Sequence, residues 1–115
     1  MKVIMAMQNI LDYNEDEVII ARFAKAMGHP ARIAILNYLS SLNNCYFGDI
    51  DKELPIAKAT VSQHLTELKK SGLIQGTIES PKVKYCLDPE NWALAKSVFE
   101  KIFAKNNCCD GKSKC

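Results

Sequence analysis

The stretch KNNCCDGKSKC holds Cys108, Cys109 and Cys115, three of the chain's five cysteines, and offers them no apolar residue to pack against. Thiolates are soft ligands. Trivalent arsenic or antimony takes three of them in a pyramid and leaves a lone pair where tetrahedral zinc would demand a fourth ligand. A vicinal pair plus a third thiol across the glycine-containing segment DGKSK closes such a pyramid locally. Lys112 and Lys114 supply positive charge that favours the thiolate form. Two other readings stand beside this one: cysteines incidental to a polar tail, or a scavenger of zinc or cadmium. Cys86, beside Tyr85 and Leu87 in a β-like run, is expected to be a small buried hydrophobe. Cys45, near a turn, is left open.

A second constellation lies in IAKATVSQHLTELKKSGLI. With Val61, Leu65 and Leu68 facing inward, a turn of about 100° per residue puts Ala59, Gln63, Thr66 and Lys70 on the opposite side. Thr60 and Ser62 flank them. Glutamine pairs bidentately with adenine, and hydroxyls bond phosphates. Lys58 stands at the start of this helix and Lys69 and Lys70 at its end. Lys82 and Lys84 fall on a following hairpin, where a wing could touch flanking backbone. His64 lies about 60° from the inward stripe, placing a half-buried structural role and a DNA contact on equal footing. Any amphipathic helix has a polar outer face, so what flanks this one decides its meaning.

The flanking pattern is specific. Acidic NEDE followed by VIIARFAKAM predicts a helix over 14–27, with Val18, Ala21, Ala24 and Met27 at helical spacing. Ile19, Ile20 and Phe23 widen its apolar surface enough to suggest two partners. GHP stops it. Pro30 opens a second helix, PARIAILNYLS, with Ile33, Ile35, Leu36 and Leu39 inward. SLNNC reads as a turn, and FGDIDKEL as a helix of about two turns closed by Pro55. After the long helix, SG before Leu73 is a stop. LIQGTIE and KVKYCL, joined by SPK, make a hairpin. A last helix runs from about Pro89 to Lys105 and carries Trp92, Ala95, Val98 or Phe99, Ile102 and Phe103. The order is helix, helix, short helix, long helix, hairpin, helix. That is a mainly α fold with a small β-hairpin, arranged as a winged helix-turn-helix. Residues 1–105 are expected to form the DNA-binding and dimerisation domain, and 106–115 a flexible cysteine-bearing tail.

Composition narrows the classes. The chain has 115 residues, 48% hydrophobic and 24% charged, as for one ordinary globular domain. Net charge is only +2, so a nucleic-acid surface must come from where the basic residues lie. The N-terminal stretch is a poor signal peptide, and no run approaches the roughly 18 apolar residues of a membrane span. No membrane association and a cytoplasmic, reducing setting are therefore expected. In that setting cysteines serve more often as metal ligands or reactive thiols than as a disulfide framework.

AKAMGHPARIAILNYLS, FGDIDKELPIAKATVSQHLTELKKSGLI and KVKYCLD together resemble the ArsR/SmtB family of winged-helix metal-responsive repressors, over about residues 20–92. GHPARIAIL and TVSQHLTELKKSGLI are the most specific parts. The resemblance implies a homodimer built from the first and last helices, bound to double-stranded operator DNA until a metal or metalloid binds. It also implies DNA contacts from Thr60, Ser62, Gln63 and His64, with Arg32 a phosphate partner. One familiar site of the family needs a Cys-x-Cys before the recognition helix. Here Cys45 is alone, with Phe47 and Gly48 where the second thiol would stand. Another needs histidines in the last helix, which has none. Cys108, Cys109 and Cys115 resemble the spacing of arsenite-responsive members with a C-terminal site.

The combined expectation is a dimeric repressor released from its operator by trivalent arsenic or antimony at those three thiolates, with no catalytic cofactor. A thiol redox-sensing repressor, in which Cys108 or Cys109 pairs with Cys115, is the alternative. A thiol enzyme such as an arsenate reductase fits worse, since the vicinal pair is not C-x-x-C and no phosphate loop precedes any cysteine.

Overall fold

A computed structural model describes residues 12–42, 45–79 and 82–105. Cys108, Cys109 and Cys115, and with them the expected tail site, lie outside these described residues.

The first helix, α1 (Glu15–Met27), starts where its sequence says it should. The Asn14 side chain accepts from the Glu17 amide at 2.8 Å and Glu17 returns the bond to the Asn14 amide at 3.2 Å, a reciprocal cap. Phe23 and Ala26 are buried on its inner side, while Ala21 and Ala24 are exposed. The small residues at helical spacing thus mark the outer face, not the core face. In α2 (Pro30–Ser41), Pro30 occupies the first turn, and Ile35, Leu36 and Leu39 are buried. Ile33, expected inward, is 44% exposed. Two residues before Ile35 is 200° around a helix, so the two cannot share one buried face.

The segment after α2 departs from the expected two-turn helix. Tyr46–Phe47 form a short strand, β1, and only a single 3-10 turn, Ile50–Lys52, follows, with Ile50 buried. Gly48 at φ +123° breaks the chain between them. Pro55 biases Leu54 away from helical backbone and leaves no room for a second turn.

The long helix α3 (Lys58–Ser71) buries Val61, Leu65 and Leu68 as their spacing requires, and His64 and Ser71 with them. Gly72 ends it in the left-handed conformation, φ +91°. The buried Ser71 hydroxyl donates to the Leu68 carbonyl at 2.7 Å and accepts from the Leu73 amide at 3.2 Å. Strands β2 (Ile74–Glu79) and β3 (Lys82–Leu87) form the expected hairpin, in register from Ile74↔Leu87 to Glu79↔Lys82. The sheet order is β1-β3-β2, so β3 is central. The last helix, α4 (Pro89–Ala104), is capped by Asp88, whose carboxylate accepts from the Asn91 amide and from Gln75 Nε2, both at 3.0 Å.

Phe23, Ile35, Leu68, Leu73 and Val98 are among the deepest core side chains and come from α1, α2, α3, the entry to β2 and α4. Around them the elements assemble as the winged helix-turn-helix read from the sequence. Lys101 of α4 reaches Asp16 of α1 at 3.1 Å, tying the first and last described helices together. Among the described residues, no helix is long and apolar enough to cross a membrane.

Candidate nucleic-acid interface and thiol pair

The outer face of α3 carries exposed Lys58, Ala59, Thr60, Ser62, Gln63 and Thr66, with exposed Lys69 and Lys70 at its C-terminal end. Its N-terminus has Ala57 at the cap, no side-chain cap and no acidic residue in the first turn. The Thr60 amide is bonded to the Ala57 carbonyl at 2.9 Å, but the amides before it and the positive end of the helix dipole are open to an anion. Thr60 and Thr66 turn their hydroxyls back onto the helix, donating to the carbonyls of Ala57 and Ser62 at 2.8 Å each. Ser62 and Gln63 are spared such bonds among the described residues, which leaves the two outermost polar groups available.

On the wing, Lys82 is exposed, and Lys84 sits with its ammonium 5.9 Å from the centre of the Phe47 ring. That contact uses β1 to steady a strand that would otherwise end in solvent on that side.

His64 and Arg32 belong together and face inward. His64 is 7% exposed, and its Nδ1 accepts from Arg32 Nε at 3.1 Å. Arg32 Nη1 donates to the Ala26 carbonyl at 3.2 Å, closing the C-terminal end of α1. His29, whose own Nδ1 accepts from the Ala31 amide to cap α2, lies with its ring 4.5 Å from that of His64. Burial first, then the charges of His29 and Arg32, hold the His64 pKa below its usual 6.5. Neutral His64 is thus a bracket between α1, α2 and α3. The sequence pattern leaves its side of the helix open; in the structure it turns toward Arg32.

Cys45 and Cys86 form a disulfide, their Cα atoms 4.4 Å apart across 41 residues of sequence. This corrects the expectation of Cys86 as a free, buried apolar residue, since it is half-buried and bonded to sulfur, and it gives Cys45, left open by the sequence, a partner. The pairing follows from β1. Tyr46 stands opposite Tyr85, so the preceding Cys45 falls opposite Cys86. No signal short of that two-residue strand would have brought them together. Among the described residues, no three His, Cys, Asp or Glu side chains gather as a metal-ligand set.

Comparison with known proteins places this geometry. The sequence model of the arsR family of bacterial regulatory proteins matches residues 29–75. The HTH-type transcriptional regulator CmtR of Mycobacterium tuberculosis is 34% identical over 79 residues, spanning 69% of this chain. The chain spans 66% of that regulator's length. The HTH-type transcriptional regulator YgaV of Escherichia coli is 30% identical, over 61% of this chain and 71% of its own. Among solved structures, the NMR structure of the M. tuberculosis cadmium metal-sensor CmtR is 30% identical with a TM-score of 0.50, covering 83% of this chain and 94% of the other. An ArsR-like transcriptional regulator from Rhodococcus sp. RHA1 shares the fold at a TM-score of 0.63 and 19% identity, covering 77% and 83%.

Proposed function

Because the chain belongs to the arsR family of bacterial regulatory proteins, we propose that it represses transcription as a homodimer on operator DNA and lets go when a soft metalloid binds. The observation that carries the DNA half is the outward face of α3. Ser62 and Gln63 project from an uncapped, acid-free helix N-terminus beside Thr60 and Lys58. In a helix-turn-helix, this is the part that enters the major groove. Gln63 and Ser62 read base edges, Lys58 meets phosphate, Thr60 joins it by turning its hydroxyl from the Ala57 carbonyl, and Lys82 and Lys84 touch the flanking backbone from the wing. Arg32 and His64 act behind this face by fixing α3 on α1 and α2.

The sensing half rests on the chemistry of Cys108, Cys109 and Cys115. Three soft thiolates in one short polar segment suit three-coordinate arsenic or antimony. Release then requires that the bound metalloid favour the DNA-free conformation over the bound one. The cadmium-sensing relative makes cadmium the competing inducer. Work on operator DNA places the protein with the chromosome, in the cytoplasm.

A gel shift on the DNA upstream of its own gene, with arsenite, antimonite or cadmium added, tests this reading. Parent protein is expected to shift the DNA and to be released by arsenite. The variant with Cys108, Cys109 and Cys115 all replaced by serine should bind equally and ignore arsenite, since serine cannot replace a soft thiolate. Release of that variant at the parent's arsenite concentration would move the sensor elsewhere. Release by cadmium alone would replace the metalloid with the metal.

A further inference from the structure

We infer that Cys45 and Cys86 form a reversible dithiol–disulfide site, a second input whose oxidation fastens the wing to the segment entering the recognition unit. The inference rests on the proposed action at DNA in one respect. A regulator working on the chromosome sits in a reducing compartment, where disulfides are usually transient and redox-sensing. The tail thiols play no part in it.

Geometry makes the pair suitable. Cys45, just before β1, stands opposite Cys86 of β3 by continuation of the strand register, and the bonded pair has Cα atoms 4.4 Å apart, within the range of disulfides. Both side chains are half-buried, so small oxidants and reductants reach them. Without the bond, β1 holds β3 through only two residue pairs, Tyr46↔Tyr85 and Phe47↔Lys84. With it, the strand bearing Lys82 and Lys84 is covalently joined to the connector between α2 and the turn at Ile50.

The chemistry balances with a peroxide as oxidant. One cysteine thiolate attacks a peroxide oxygen, the O–O bond breaks, and the departing hydroxide takes a proton to become water. The resulting sulfenic acid is attacked by the other cysteine, its S–O bond breaks, and a second water leaves as S–S forms. Two thiols and one hydrogen peroxide give one disulfide and two waters. Thiol–disulfide exchange with a small dithiol reverses the step.

Closing the bond should pre-organise the wing, so less freedom is lost when its lysines settle on phosphate. Oxidised protein is expected to bind the operator about three- to tenfold more tightly than reduced protein.

Two measurements on the full chain test this. The first is differential alkylation with peptide mass mapping, after titration with hydrogen peroxide and then with dithiothreitol. Interconversion of Cys45 and Cys86 between alkylated thiols and a linked peptide pair is expected. A pair that stays linked in excess dithiothreitol, or stays as thiols in excess peroxide, overturns the switch. The second compares operator affinity of oxidised and reduced parent with that of Cys45→Ser and Cys45→Ala. On oxidation the parent should gain affinity relative to both variants. Tail oxidation is common to all three and cancels. No gain in the parent relative to the variants overturns the wing coupling. If no form binds the upstream DNA, the proposed repressor fails while the mapping still decides the thiol chemistry.

Discussion

Gln63 is the side chain on which operator discrimination should turn. Replacing it with alanine is expected to cost about 1–3 kcal/mol on the operator and little on unrelated DNA, read by competition binding. Its outward position was legible in the sequence, because Val61, Leu65 and Leu68 are buried at the spacing that points Gln63 away. His64 was not legible, since 60° off a stripe is compatible with either side and its partner Arg32 lies in another helix. Its burial has a pH consequence. The folded protein holds His64 below its usual 6.5, so the unfolded chain binds the proton more readily. The neutral-His64 contribution to stability is therefore complete above that value and is lost as pH falls below it toward the depressed folded pKa. Parent protein should lose more stability than His64→Gln between neutral and mildly acidic pH in urea melts. Parallel losses in the two would mean that His64 does not carry this dependence.

Among the elements, the helices were written most clearly, because each has a boundary signal of its own: Asn14 and Gly28, Pro30, the stop at Gly72, and Asp88 with Pro89. The three-stranded sheet was legible only as a hairpin. Two residues, Tyr46 and Phe47, are too few to show alternation, and their strand exists only because β3 is there to pair with. Gly72 shows what such a stop is worth. A Cβ there would stand 2.5 Å from Asn91 Nδ2, the group that donates to the Gly72 carbonyl at 3.0 Å, and φ is already +91°. Gly72→Ala is expected to destabilise the fold by about 1–3 kcal/mol, seen as a lower urea midpoint at unchanged slope. On the wing, Lys82→Ala should weaken binding to all sequences alike and flatten its salt dependence by about one unit if that lysine meets phosphate.

At the scale of the described molecule, apolar surface remains on the outer sides of the first and last described helices. Ile102 is 48% and Phe103 75% exposed on α4, while Tyr13, Val18 and Ala21 line an open groove with Glu17, Arg22 and Lys25 along α1. A two-fold dimer would cover such faces and hold two recognition helices about 34–36 Å apart, one turn of DNA. Ile102→Glu or Phe103→Glu should sediment as a monomer with little operator affinity; a stable monomer of the parent that still binds tightly would rule this assembly out. The amphipathic pattern showed that both helices had surface to spare, but a pattern of one chain cannot say which surface meets its copy. The bond between Cys45 and Cys86 also makes the stretch between them, 41 residues apart and including all of α3, a closed covalent ring. A protease that cuts once inside that ring opens it without releasing either piece. Nicked protein should therefore keep its full mass until a reductant is added, and the recognition helix can be severed from its wing in sequence while still tethered to it by sulfur.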